Sequence, residues 1–156
     1  MSPRLFLLRA IEPGLSLLPS YMTSDAARIM LMAIAIQESN IAARAQVGGP
    51  ARGYWQFESA GVESVLKQTP SLAQAVLSTC DIPLTNATDA IEYNDPVACA
   101  FARLMLWFNP APLPPIADVT GSWNYYCHCW KPGKPDESRW PAAFATAVNT
   151  VNAEKQ

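Results

Sequence analysis

Asp95-Pro96 opens a stretch running through Val97, Phe101, Leu104 and Trp107-Phe108 that is strongly apolar once wound into a helix. Asp at a cap and Pro in the first turn suit a helix start, because the proline nitrogen has no hydrogen to leave unsatisfied. A helix this apolar is stable in water only when other elements cover it. The stretch therefore predicts a central buried helix and a mostly α fold packed around it. At 156 residues the chain is long enough to bury such a core as one domain spanning 1–156. Only 15% of its residues are charged and 50% are hydrophobic, against about 25% charged in ordinary soluble domains, so neutral polar groups, Pro and Ala must supply much of the surface. Disorder is not expected from such a composition.

Upstream, Ser24 or Asp25 caps a second helix whose Ala26, Ile29, Met32, Ala33 and Ile36 recur at helical spacing and form one apolar face. Glu38 falls at its C-terminal end. Val47-Gly48-Gly49-Pro50-Ala51-Arg52-Gly53 is dense in chain breakers and predicts a turn, leading into a short extended or hairpin segment near 54–58. Helices follow at about 60–68 and 71–79, the latter capped by Ser71 after Pro70, and Thr85-Asn86 reads as a loop. Pro110, Pro112, Pro114 and Pro115 force an extended connector. Beyond it Ser122 caps a helix at 123–130, Lys131 to Pro135 stops it, and a last helix runs from about Glu137 to Val151.

A net charge of −2 and a pI near 5.3 leave no basic stripe for phosphates, so nucleic acid is not the expected partner. The apolar run near the N-terminus is broken by Arg9, Glu12 and Pro13 before an export signal or a membrane span can form. Neither export by a signal peptide nor stable membrane insertion is expected. Cys80, Cys99, Cys127 and Cys129 are expected as free thiols, since cytosolic cysteines stay reduced. Cys127-His128-Cys129 is too tightly spaced and too poor in ligands for a zinc site, so no metal and no cofactor is expected. His128 reads as an incidental surface or capping residue.

The residues that carry chemistry lie between 35 and 58. A helix end holds a carboxylic acid rigidly, and a following aromatic segment can form the facing wall of a cleft, with Tyr54 and Trp55 stacking on sugar faces and Gln56 hydrogen-bonding sugar hydroxyl or acetamido groups. Ala35-Ile36-Gln37-Glu38-Ser39-Asn40 followed by Gly53-Tyr54-Trp55-Gln56-Phe57 resembles the Glu-Ser and Gly-Leu-Met-Gln blocks of soluble lytic transglycosylases, members of the lysozyme superfamily. The Gly-Gly-Pro-Ala-Arg-Gly-x-Trp-Gln-Phe run and the later Pro-Gly-Lys-Pro are similar to small phage-encoded lysozyme-like proteins. The resemblance implies a lysozyme-like fold that cleaves peptidoglycan glycan strands, with Glu38 as the catalytic acid, Ser39 supporting it, Gly53 in the family's glycine position and Gln56 lining the cleft. It also implies a tyrosine that contacts the acid, supplied from Trp123-Asn124-Tyr125-Tyr126 by Tyr125 or Tyr126, with Tyr125 preferred.

A glycosidic acid must stay protonated near neutrality, which requires an apolar or aromatic surrounding such as Trp55 or Tyr125. One carboxyl suffices for a transglycosylase, whereas an ordinary hydrolase uses a second carboxylate. Glu58, Glu63 and Asp95 are the available second acids, Glu58 being nearest the motif and sharing a face with Gln56 if the segment is a strand. Trp123, Tyr125, Tyr126 and Trp130 fit core packing and sugar contact equally. Arg52 is either solvated or a contact for a muramyl carboxylate or peptide. The setting implied is phage lysis or wall opening by a virion component. The alternative is a lysozyme-fold protein without activity that binds glycan or takes part in virion assembly beside other virion proteins.

Overall fold

The opening residues, Pro3 to Ser16, form a helix, in spite of the charges and proline that interrupt their apolar run. In a computed structural model describing residues 1–155, α1 (Pro3–Phe6) passes through a π-helical segment, Leu7–Ile11, into α2 (Glu12–Ser16). Pro13 is the cause we assign to the π turn. It can donate no hydrogen bond in the helical ladder, and the Glu12 N–H reaches Leu7 O instead, one residue further back than in an α-helix. Phe6, Leu7, Ala10, Ile11 and Leu15 all enter the core. The apolar run is thus a packing face.

Ser24 caps α3 (Asp25–Ser39) through its hydroxyl, which accepts from the Ala27 N–H at 3.1 Å. The single apolar face expected of this helix is too narrow a description. Ile29 through Ala35 are buried without interruption, because α9 (Trp140–Ala153) packs along one side while the π segment and α7 (Asp95–Trp107) meet it elsewhere. α7 is the second buried helix, with Val97 through Leu106 inside. Its cap is Asn94, whose side chain accepts from the Val97 N–H at 3.1 Å, one residue before the Asp95 expected in that role. Each fully buried Phe, Leu or Ile in this pair contributes about 1.5–3 kcal/mol relative to exposure. α2 crosses α7 so closely that a Cβ on Gly14 would meet Cys99 Cβ at 2.5 Å and Pro96 O at 2.7 Å.

Helices α4 (Ser59–Gln68) and α5 (Pro70–Thr79) are separated by Thr69, which takes the capping position expected of Ser71. Leu84–Asn86 forms a 3-10 turn before α6 (Ala87–Tyr93). The proline connector then leads to α8 (Val119–Trp130), whose cap is Asp118, accepting from the Gly121 N–H at 2.8 Å. Ser122, expected to cap, lies inside the first turn, where its hydroxyl bonds Val119 O. A 3-10 turn at Glu137–Arg139 feeds α9.

Residues 54–57 are not an extended piece but belong to the tight turn of a minimal hairpin, the other form expected there. Gly53 (φ 71°) and Gln56 (φ 51°) both sit in the left-handed region and reverse the chain, so that Arg52 and Phe57 face each other as one antiparallel pair with both hydrogen bonds at 2.8 Å. Ala45 pairs with Arg52 on the other side. Only these isolated pairings stand in for strand structure among the described residues, which form a single compact, mostly helical domain. Among them no helix is long and apolar enough to cross a membrane.

Candidate active site

Glu38 occupies the last full turn of α3, where the helix ends abruptly. Asn40 (φ 53°) and Ile41 (φ 48°) turn left-handed, and Asn40 N–H closes the helix on Ile36 O at 2.9 Å. Ser39 then ties this end to the 53–56 turn. Its hydroxyl lies 2.8 Å from Tyr54 O and 3.0 Å from Ala35 O, and it accepts from the Ile41 N–H at 3.2 Å. The turn is held in place by Gly53 N–H donating to Arg44 O at 2.6 Å and by a bidentate ion pair of Arg44 with Asp95. A Cβ on Gly53 would lie 2.5 Å from Ile91 O, so only glycine fits this φ and this approach.

Above Glu38, α8 presents Trp123, Tyr126 and Trp130 at i, i+3 and i+7, one helical face. Tyr126 stacks on Trp140 with centroids 5.1 Å apart and planes 13° from parallel. This packing aims the phenol at the acid: Tyr126 Oη donates to Glu38 Oε1 at 2.7 Å. Tyr125, the preferred candidate, points the other way. Its hydroxyl donates toward Leu106 O and Ala111 O, at 2.9 and 3.1 Å, because adjacent helical residues diverge by about 100°.

Burial raises the proton affinity of Glu38 above that of an ordinary glutamate, and the hydrogen bond from Tyr126 and the positive charge of Arg139 only partly oppose it. The Tyr126 phenol is itself held far from ionisation by burial and by the adjacent Glu38. The acid is half-buried in a groove of about 580 Å³. Gln56, Glu58, Met105, Tyr126, Trp130, residues 131–136 and Arg139 line the groove with it.

The expected residues thus divide into two groups. Glu38, Gln56, Glu58 and Tyr126 share the groove. Tyr54 and Trp55 do not, and they cannot stack on a ligand there. Trp55 is wholly buried, its indole N–H donating to Leu31 O at 2.9 Å and its ring against Phe6, while Tyr54 is clasped edge-on by Phe6 and covered by the Arg44 guanidinium. Ser39 and Gly53 act from behind the wall, as tether and turn. Gln56 Nε2 bonds Gly53 O at 2.8 Å, which sets its side chain. Arg52 is partly exposed and is engaged within the protein, paired with Glu92 at 2.9 Å and bonded to Gly49 O and Ala51 O.

Among the second acids, Glu58 alone lines the groove, since Asp95 is engaged by Arg44 and Glu63 lies exposed on α4. Cys80, Cys99, Cys127 and Cys129 are unbridged, and His128 is exposed near the end of α8. Among the described residues no three His, Cys, Asp or Glu side chains converge as metal ligands would. No protein-family model, no curated protein and no solved structure matches this chain. The site is therefore read from its own geometry.

Three contributors to the groove were not expected there from the sequence. Residues 131–136 read as a helix stop, with Pro132 to Pro135 part of the phage-protein resemblance but given no role in the site; Arg139 read as part of a helix start and Gln37 as a neighbour of the acid. Gln37 is nevertheless buried, and its Nε2 donates to Asp136 O at 2.8 Å, pinning the 131–136 loop to α3 across 99 residues of sequence.

Proposed function

We propose that this protein cleaves the glycan strands of peptidoglycan between N-acetylmuramic acid and N-acetylglucosamine, through a lysozyme-like arrangement in which Glu38 is the general acid. One observation carries the reading: a half-buried carboxyl of raised proton affinity, hydrogen-bonded by Tyr126, sits in a groove large enough for sugar rings. Ligand clefts run from about 300 to 1,000 Å³. The cut requires a proton at the bridging oxygen as its bond to the muramyl C1 breaks, and Glu38 is the group able to supply it.

A single-acid course is favoured. The substrate's acetamido group stabilises the positive centre at C1, the C6 hydroxyl of the same sugar then bonds to C1, and its proton returns to Glu38, leaving a 1,6-anhydro product and a regenerated acid. The exposed Glu58 in the same groove supports hydrolysis as the other outcome, with water in place of the C6 hydroxyl. Incubation with purified strands followed by mass spectrometry decides between them. Anhydro ends are the expected product, and reducing ends would assign Glu58 the second role. Strands bound but never cut would leave a non-catalytic glycan-binding protein, such as a virion part. The resemblance to phage-encoded proteins makes lysis or wall opening at infection the proposed setting.

A pH profile tests the electrostatics. The active form carries the proton on Glu38, so the rate should fall as pH rises through a value above the ordinary glutamate range. The Tyr126 hydrogen bond favours the charged carboxylate, so Tyr126→Phe should move that fall to higher pH. A fall moved to lower pH would contradict the assignment.

A further inference from the structure

A second groove of about 430 Å³ lies between the C-terminal end of α3 and the start of α9, lined among others by Ile36, Gln37, Asn40, Arg139, Ala142 and Thr146. It shares Gln37 and Arg139 with the groove that holds Glu38. The main groove and this second arm therefore adjoin, with Gln37 and Arg139 in the lining of both. No carboxylate lines the second arm.

Two features mark this arm as unfilled. Gln37 is 6% exposed and its Oε1 accepts no hydrogen bond, although its Nε2 is satisfied by Asp136 O. A buried acceptor left unpaired is unfavourable, and a ligand N–H that reached it would relieve that cost. Arg139 makes no ion pair among the described residues, and its one hydrogen bond, to Ile36 O, is long at 3.5 Å. The guanidinium is exposed. The arm thus offers a cation, an unused acceptor, the side chains of Asn40 and Thr146, and the methyl of Ala142. That set matches a peptide, which brings backbone amides together with a carboxylate; bare muramic acid has its lactyl carboxylate but no peptide amides beside it.

The geometry points to the second arm as the seat of the peptide carried by the muramyl sugar, with Arg139 taking a peptide carboxylate and Gln37 an amide N–H. This rests on the glycan-cleaving reading, because it places the peptide-bearing sugar beside Glu38. The substrate class it names is strands that still carry their peptides. Arg139 would then exchange its long bond to Ile36 O for a charge-assisted one to the ligand.

Ala142 is exposed on α9, so Ala142→Trp fills the arm without touching the core. Two measurements test the inference. In the first, cleavage rates are compared on intact strands and on strands stripped of peptide by an amidase. Wild type should prefer intact strands, and Ala142→Trp and Arg139→Gln should each lower the intact-to-stripped ratio about tenfold, the scale of one charged hydrogen bond. An unchanged ratio overturns the inference. In the second, amide shifts are mapped with N-acetylmuramyl dipeptide and, separately, with N-acetylmuramic acid. Shifts at 138–146 should appear with the dipeptide alone and vanish in Ala142→Trp. Strands cut with no such shifts would sink the arm and leave the cleavage reading intact. Dipeptide shifts in a protein that cuts nothing would sink the cleavage reading and keep the arm as a peptide site.

Discussion

Glu38→Gln should lower the rate of strand cleavage at least about a hundredfold while leaving the protein folded, since the amide keeps the shape and the bond from Tyr126 but has no proton to give. Its stability should respond in a defined direction. Burial raises the folded-state proton affinity of Glu38 above the unfolded value, so the folded form holds the proton more tightly and loses stability as pH rises between the two. Below that window the variant and wild type should match. Above it the variant should be equal or more stable. Denaturation curves at acidic and neutral pH beside single-turnover rates would check both halves. A variant that keeps wild-type activity would end the assignment of Glu38.

Trp55→Ala should cost about 3–5 kcal/mol, the usual scale for emptying a fully buried aromatic site, out of a total stability of about 5–15 kcal/mol. The loss is structural. The indole fills space against Phe6, its N–H is the partner of Leu31 O, and the Trp55 carbonyl accepts from Trp130 at 3.0 Å. Urea denaturation should show the drop directly, while Trp55→Phe should retain more stability and an unchanged KM for strands. If Trp55→Ala kept its melting temperature and lost only affinity for glycan, the ring would be a sugar platform after all.

The acid's own helix was legible because its signals are local: a serine cap, helical spacing, and breakers shortly beyond. The direction of side chains in the 53–57 turn was not. Alternation along a strand would have put Tyr54 and Trp55 on opposite faces, but left-handed Gln56 bends the chain and sends both inward. The choice between Tyr125 and Tyr126 depended on how α8 is rotated about its axis. That rotation follows from Trp123, Tyr126 and Trp130 packing as one face, a spacing already present in the sequence but shared by core and cleft alike. Arg139 and the 131–136 loop join the site through tertiary contact, and the Pro-Gly-Lys-Pro run within the loop did not say where it would pack. The N-terminal helix was obscured by Pro13, which a π turn absorbs.

The bond from Tyr126 to Glu38 spans 88 residues and that from Gln37 to Asp136 spans 99. A chain emerging from the ribosome can wind α3 and close the Gly53 turn long before α8 exists. During that interval Glu38 is an ordinary wetted carboxylate, ionised and chemically idle. The groove acquires its acid only when the final third arrives and folds back. On the proposed reading, a polypeptide ending before α8 would hold Glu38 without Tyr126 or the 131–136 loop and should leave glycan uncut.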